Sequence, residues 1–189
     1  MKKTEYITYR TDKKLKDILS KIAAEKKWTV SFLSEEIIRE WLKEKHPEIV
    51  GCYLNINQEK TNVICSDDYR LLYGEPYLED TLAGVRLSLS PASFYQVNHA
   101  AAEILYAEAK RLADLKGNES LLDLYAGVGS IGLSMADKAK KIIGVEIIPE
   151  AIENAKENAR LNHIENTRFI CDDAGGAAKT LLSEGLKPD

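Results

Sequence analysis

Cysteine is scarce in this 189-residue sequence, where Cys52, Cys65 and Cys171 stand far apart. Three distant thiols supply neither a disulfide framework nor the paired spacing of a zinc site. Free thiols, buried or half-buried, are the expectation, with no nucleophile among them. Histidine is equally sparse, and His99 and His163 fall in no acid–base constellation. No run approaches the roughly 18 apolar residues of a membrane span, and Met1-Lys-Lys is followed by polar residues rather than an apolar signal core. These absences predict a cytoplasmic protein with no membrane partner and no bound metal. What remains is an ordinary globular composition, 44% apolar and 30% charged, enough for one large domain or two small ones. The net charge of −4 hides an asymmetry. Residues 1–48 carry 12 Lys and Arg against 9 Asp and Glu, whereas residues 49–189 carry 14 against 21. A mildly basic head on an acidic body points to two units with different partners.

The most informative stretch runs from Leu121 to Gly132. The apolar run Ser120 to Tyr125 reads as a buried strand, which breaks at Gly127, Gly129 and Gly132 into a helical stretch from Ile131. Strand, tight turn and helix start bring main chain close to a ligand, because no β-carbon intervenes. A second strand, Lys141 to Val145, ends at Glu146, 23 residues beyond Asp123. An acidic residue at that strand tip is placed to accept hydrogen bonds from a ribose diol. A third strand, Thr167 to Cys171, ends in Asp172 and Asp173, which stand ready either for an adenine amino group or to cap the next helix. Between the strands, Pro149 opens a helix reaching Asn162. Asn154, Asn158 and Asn162 repeat along it every four residues, which reads as a solvated or sheet-edge stripe without chemistry. Strands alternating with helices predict a parallel sheet with its ligand crevice at the carboxyl ends of the strands.

Asp123-Leu-Tyr-Ala-Gly-Val-Gly-Ser-Ile-Gly132 and Gly144-Val-Glu-Ile-Ile-Pro-Glu-Ala-Ile-Glu-Asn-Ala-Lys-Glu-Asn-Ala159 resemble the S-adenosylmethionine site of the RNA (uracil-5-)methyltransferase family, 23S rRNA type. The likeness extends through Ser93-Phe-Tyr-Gln-Val-Asn98 and covers about residues 49–189. Ala126 stands where many members have Cys, and His163 where a small turn residue is usual. The resemblance implies that Gln96, Asp123, Tyr125, Gly127, Gly129, Glu146, Asp172 and Asp173 bind S-adenosylmethionine and that the substrate is RNA, ribosomal by family type. In that family a Cys thiolate adds to C6 of uracil and a carboxylate removes the C5 proton. Segments like those that carry these groups do not occur before Asp189, so no catalytic residue is assigned and this chain alone is expected to be inactive.

Upstream, Thr4 to Arg10 alternates β-branched and aromatic residues and reads as a short strand. Asp12 can cap a helix with the stripe Leu15, Ile18, Leu19, Ile22 and Ala23, and Ser31 a second helix ending at His46-Pro47. This β-α-α order resembles the ribbon-helix-helix DNA-binding family. The resemblance implies a homodimer through residues 4–46, with Tyr6, Thr8 and Arg10 facing a DNA groove and the Ser31 amides facing phosphate. Between head and body, Cys52 to Ile56, Thr61 to Cys65, Arg70 to Tyr73 and Val85 to Leu89 read as strands, with Leu82 to Gly84 connecting. An alanine-rich helix follows from Asn98 to Leu115.

The predicted fold is therefore α/β: a partial Rossmann-like methyltransferase fold over 96–189, a β-rich segment over 48–95 and a ribbon-helix-helix-like head over 1–47. Two functions stand on it. One is RNA uridine-C5 methylation, present here as its cofactor-binding half. The other is DNA binding by the head, with a methyltransferase remnant as passenger.

Overall fold

Helix α1 (Lys13–Glu25) opens the described part of the computed structural model, which covers residues 13–57, 65, 66 and 68–186. The strand expected over Thr4 to Arg10, with Tyr6, Thr8 and Arg10, lies outside the described residues, as do Asp12 and nearly all of Thr61 to Cys65. Of the α1 stripe, Ala23 is buried and Leu19 and Ile22 half-buried, while Ile18 stays exposed. The helix stops where Lys27 turns left-handed (φ 56°) and Trp28 N–H reaches back to the Ala23 carbonyl at 2.8 Å.

The second helix, α2 (Val30–Lys45), corrects the expected start. Thr29, in extended backbone, accepts the Phe32 N–H at 3.1 Å and is the cap, so Ser31 lies inside the first turn rather than before it. Extended backbone at Thr29 is what a capping hydroxyl needs; Ser31 is already helical. The helix ends at His46, where Pro47 forbids continuation. Its buried side carries Leu33, Leu42 and Glu35, and Glu35 pairs with Arg70 at 2.9 Å. Arg70 belongs to β2 (Tyr69–Gly74), which runs antiparallel to β1 (Gly51–Asn55). That pair ties the helices to the first hairpin, and the chain divides into two compact units after Glu75.

The second unit begins with a hairpin of β3 (Leu78–Leu82) and β4 (Val85–Leu89). Its two-residue turn has Ala83 and Gly84 both at positive φ, the geometry that matches strand twist. β3 is absent from the sequence-based strands because Glu79 and Asp80 are poor strand formers; pairing with β4 and full burial of Leu82 and Leu87 override that. Helix α3 (His99–Ala113) is capped by Asn98 and tied to the next helix by a 2.8 Å bond between the Tyr106 and Ser130 hydroxyls.

Strands β5 (Ser120–Leu124), β6 (Lys141–Glu146) and β7 (Thr167–Cys171) form a parallel sheet in the order β5-β6-β7. Ile142 and Ile143 of β6 are fully buried, each contributing about 1.5–3 kcal/mol by removal from water. Between the strands lie α4 (Ser130–Ser134) and α5 (Pro149–Leu161), and α6 (Ala174–Ser183) follows β7. At five residues α4 is shorter than the sequence indicates; after it, Met135 to Lys138 proceed by three-residue turns. Register sets Leu124 beside Val145 and Glu146 beside Cys171, so the carboxyl ends of all three strands finish at one level.

Candidate cofactor site

After β5 the Ala126 N–H bonds the Val145 carbonyl at 2.9 Å, and the chain then leaves the sheet through Gly127 (φ 54°) and Gly129 (φ 79°). A β-carbon on Gly129 would approach Ala155 Cβ at 3.2 Å and the Phe169 ring at 3.3 Å, so the turn packs directly on α5 and β7. Tyr125 is also left-handed (φ 60°) and its ring is exposed. A tyrosine in that region costs about 1–3 kcal/mol, a strain that concentrates at functional sites.

Asp123 points under the turn and accepts the Gly132 N–H at 3.0 Å. Burial raises its carboxyl above the ordinary aspartate value of 3.8, and the Gly132 bond opposes this only in part. Glu146 is held by three amides: Gly127 N–H at 3.0 Å on one oxygen, Ile147 and Ile148 N–H at 2.8 and 3.0 Å on the other. Its carboxylate therefore sits against the glycine turn, where a dinucleotide's pyrophosphate would have to bind. The crevice thus offers acceptors to a neutral diol or a cation and rejects an anion.

Beyond β7, Asp173 caps α6 by accepting the Gly175 and Gly176 N–H groups at 2.7 and 2.9 Å. Of the two readings of the acidic pair, capping holds for Asp173, while Asp172 accepts the Asp173 N–H at 2.8 Å beside the first turn of α6. A cavity of about 230 Å³ joins Tyr125, Glu146, Asp172 and Asp173 with Val145, Ile147 and Gly175, somewhat below the range of whole small-molecule sites. Gly127 borders it through its bond to Glu146; Asp123 and Gly129 are not among its lining residues. Gln96 does not line it; it lies half-buried in the loop after β4 and makes no hydrogen bond among the described residues. A larger hollow of about 630 Å³ lies near Lys110, Asp137 and His163, before β6 and β7 begin. It contains no predicted site residue, and its lysine is already paired with Asp137 at 2.6 Å.

Sequence reasoning missed two groups. Tyr95 donates to Asp80 at 2.7 Å, depressing that carboxyl, while desolvation and Asp80 push the phenol well up. His99 lies 3.7 Å from Asp80 and 3.6 Å from Glu103. Of the two readings of the asparagine stripe, solvated or sheet-edge, the second holds: Asn154 and Asn158 are buried, and Asn158 and Asn162 bond the backbone of β4. Their four-residue repeat was the available signal; the partners between Arg86 and Ser93 lie 61 to 76 residues away. Among the described residues no cluster of His, Cys, Asp and Glu could hold a metal ion, and no helix is long and apolar enough to cross a membrane.

A parallel sheet, a glycine turn after its first strand and carboxylates at the next two strand ends define an α/β methyltransferase-like fold. Comparison with known proteins agrees: residues 83–176 match the TRM5/TYW2 methyltransferase domain. An uncharacterized RNA methyltransferase of Staphylococcus epidermidis is 42% identical over 159 residues, 84% of this chain and 35% of the relative. One from Enterococcus faecalis is 42% identical over 77% of this chain and 32% of its own length. The chain thus spans about a third of these relatives' length. Among solved structures, the Pyrococcus abyssi tRNA (uracil-54, C5)-methyltransferase in complex with S-adenosyl-L-homocysteine superposes with a TM-score of 0.55 at 28% identity, covering 65% of this chain and 30% of that one. Trm5b of the same organism, at 0.54 and 24%, covers 74% and 41% and shares the fold.

Proposed function

We propose that this chain carries the S-adenosylmethionine-binding part of an RNA methyltransferase acting on C5 of uridine. The observation that supports the cofactor most directly is Glu146, a strand-end carboxylate laid against the glycine turn. The donor set fits: Glu146 would accept the ribose hydroxyls, Asp172 the adenine amino group, and the acidic crevice suits a ligand carrying a sulfonium. Tyr125, Gly127 and Gly129 would line the methionine end, with Asp123 holding the turn from beneath. S-Adenosylmethionine supplies an activated methyl group; these residues bind and orient it. The similarity to the uracil-C5 enzyme supports the uridine reading, with ribosomal RNA as the substrate class the sequence resemblance implies. A second reading, methylation of tRNA in the TRM5/TYW2 manner, is favoured by the domain match over 83–176. DNA binding by the head, and a homodimer through it, rest on a strand outside the described residues, and nothing observed favours them.

Deleting the gene and analysing nucleosides from rRNA and tRNA by mass spectrometry separates the readings. Loss of one 5-methyluridine from rRNA is expected. Loss of a methylguanosine from tRNA instead would replace the uridine reading by the second, and unchanged profiles in both RNAs would contradict each.

A further inference from the structure

Glycine on both sides leaves Val128 in a segment with cheap alternatives, since neither Gly127 nor Gly129 carries a β-carbon to forbid a second peptide orientation. A binding turn with that freedom loses affinity to its own ordering unless something outside it selects one orientation beforehand. Here both groups of the Val128–Gly129 peptide are held. The Gly129 N–H bonds the Ala126 carbonyl at 2.8 Å, within the turn. The Val128 carbonyl accepts the side-chain amide of Asn158, on α5, at 3.1 Å.

Asn158 is fully buried, and the other end of its amide is engaged as well: its oxygen accepts the Ser88 N–H of β4 at 2.7 Å. About one turn earlier on α5, Ala155 stands 3.2 Å from where a β-carbon on Gly129 would lie. One helix face therefore shapes the turn by contact at Gly129 and by a hydrogen bond at Val128, and the bond is anchored on a strand outside the parallel sheet. Val128 directly follows Gly127, whose N–H bonds the Glu146 carboxylate at 3.0 Å.

We propose that Asn158 is a positioning residue for the cofactor: it locks the Val128–Gly129 peptide in one orientation and so holds the Gly127 amide against Glu146. This rests on the S-adenosylmethionine reading of the crevice. Asn162 is the control within the same stripe. It accepts the Arg86 N–H of β4 at 2.9 Å and donates to the Arg86 carbonyl and to the main-chain carbonyl of Asn158, both at 2.7 Å, with no bond to the turn.

The test is calorimetric binding of S-adenosylhomocysteine to the full chain, with hydrogen exchange on the same samples. Asn158→Ala is expected to weaken binding about fivefold, the size of one net hydrogen bond. Asn162→Ala should lower the denaturation midpoint yet leave affinity unchanged. In the parent, the ligand should slow exchange of the Ser88 amide, which reaches the turn through Asn158, because a stiffened turn opens less often. The Arg86 amide, held by Asn162, should exchange as before. That comparison needs no variant and decides the matter should Asn158→Ala fail to fold. Unchanged affinity in folded Asn158→Ala, equal weakening by Asn162→Ala, or a ligand that protects Ser88 no more than Arg86 would overturn the proposal while leaving the cofactor reading intact. A parent chain that does not bind would overturn the cofactor reading and the proposal with it.

Discussion

Two residues show how closely the site is tied to the sheet beneath it. Asp123 keeps a carboxylate in a poorly hydrated place under the glycine turn, and burial raises its pKa. The folded chain therefore holds that proton more tightly than the unfolded chain. Between 3.8 and the raised value the native state binds more protons, so this group's contribution to stability falls as pH rises through that window. Asp123→Asn keeps an acceptor for Gly132 and removes the charge. Urea denaturation across pH should show the variant more stable than the parent at neutral pH, with the gap closing below about pH 4; a gap that widens in acid would contradict the burial account. Gly144, in mid-β6, is the complementary case of space rather than charge. A β-carbon there would lie 2.6 Å from Phe169 Cδ1, so Gly144→Ala should destabilise by about 1–3 kcal/mol through overpacking, read from the same denaturation curves.

At the scale of elements, the strands of the sheet and the helix opened by Pro149 were legible because apolar runs and turn residues alternate there without conflict. The strand-end positions of Glu146 and Asp172 were legible for the same reason, since the two carboxylates close those runs. Other features were hidden because distant partners decide them. β3 exists only through its pairing with β4, Asp173 is a cap because its carboxylate meets the Gly175 and Gly176 amides in helical conformation, and the choice between a solvated and a sheet-edge asparagine stripe waited on the placing of β4. Helix α2 shows the limit at short range, since Thr29 and Ser31 are both competent caps by composition and only the backbone at Thr29 is extended. Thr29→Ala should accordingly cost about 1 kcal/mol, measured by thermal unfolding, whereas Ser31→Ala should change the midpoint little. The reverse ranking would restore the cap expected from sequence.

Across the whole molecule, charge and architecture divide in the same sense but not at the same place. The basic head and the first hairpin share one compact unit through Glu35 and Arg70, while the acidic body holds the crevice. On the proposed function, this crevice binds S-adenosylmethionine through Glu146. That reading is tested most directly by isothermal titration of S-adenosylhomocysteine into the parent chain and Glu146→Gln, with circular dichroism confirming that both are folded. The parent should bind, and the variant should lose about 1–2 kcal/mol, in keeping with a hydrogen bond to a charged group. Equal affinities in the two proteins, or no heat of binding in the parent, would contradict the account.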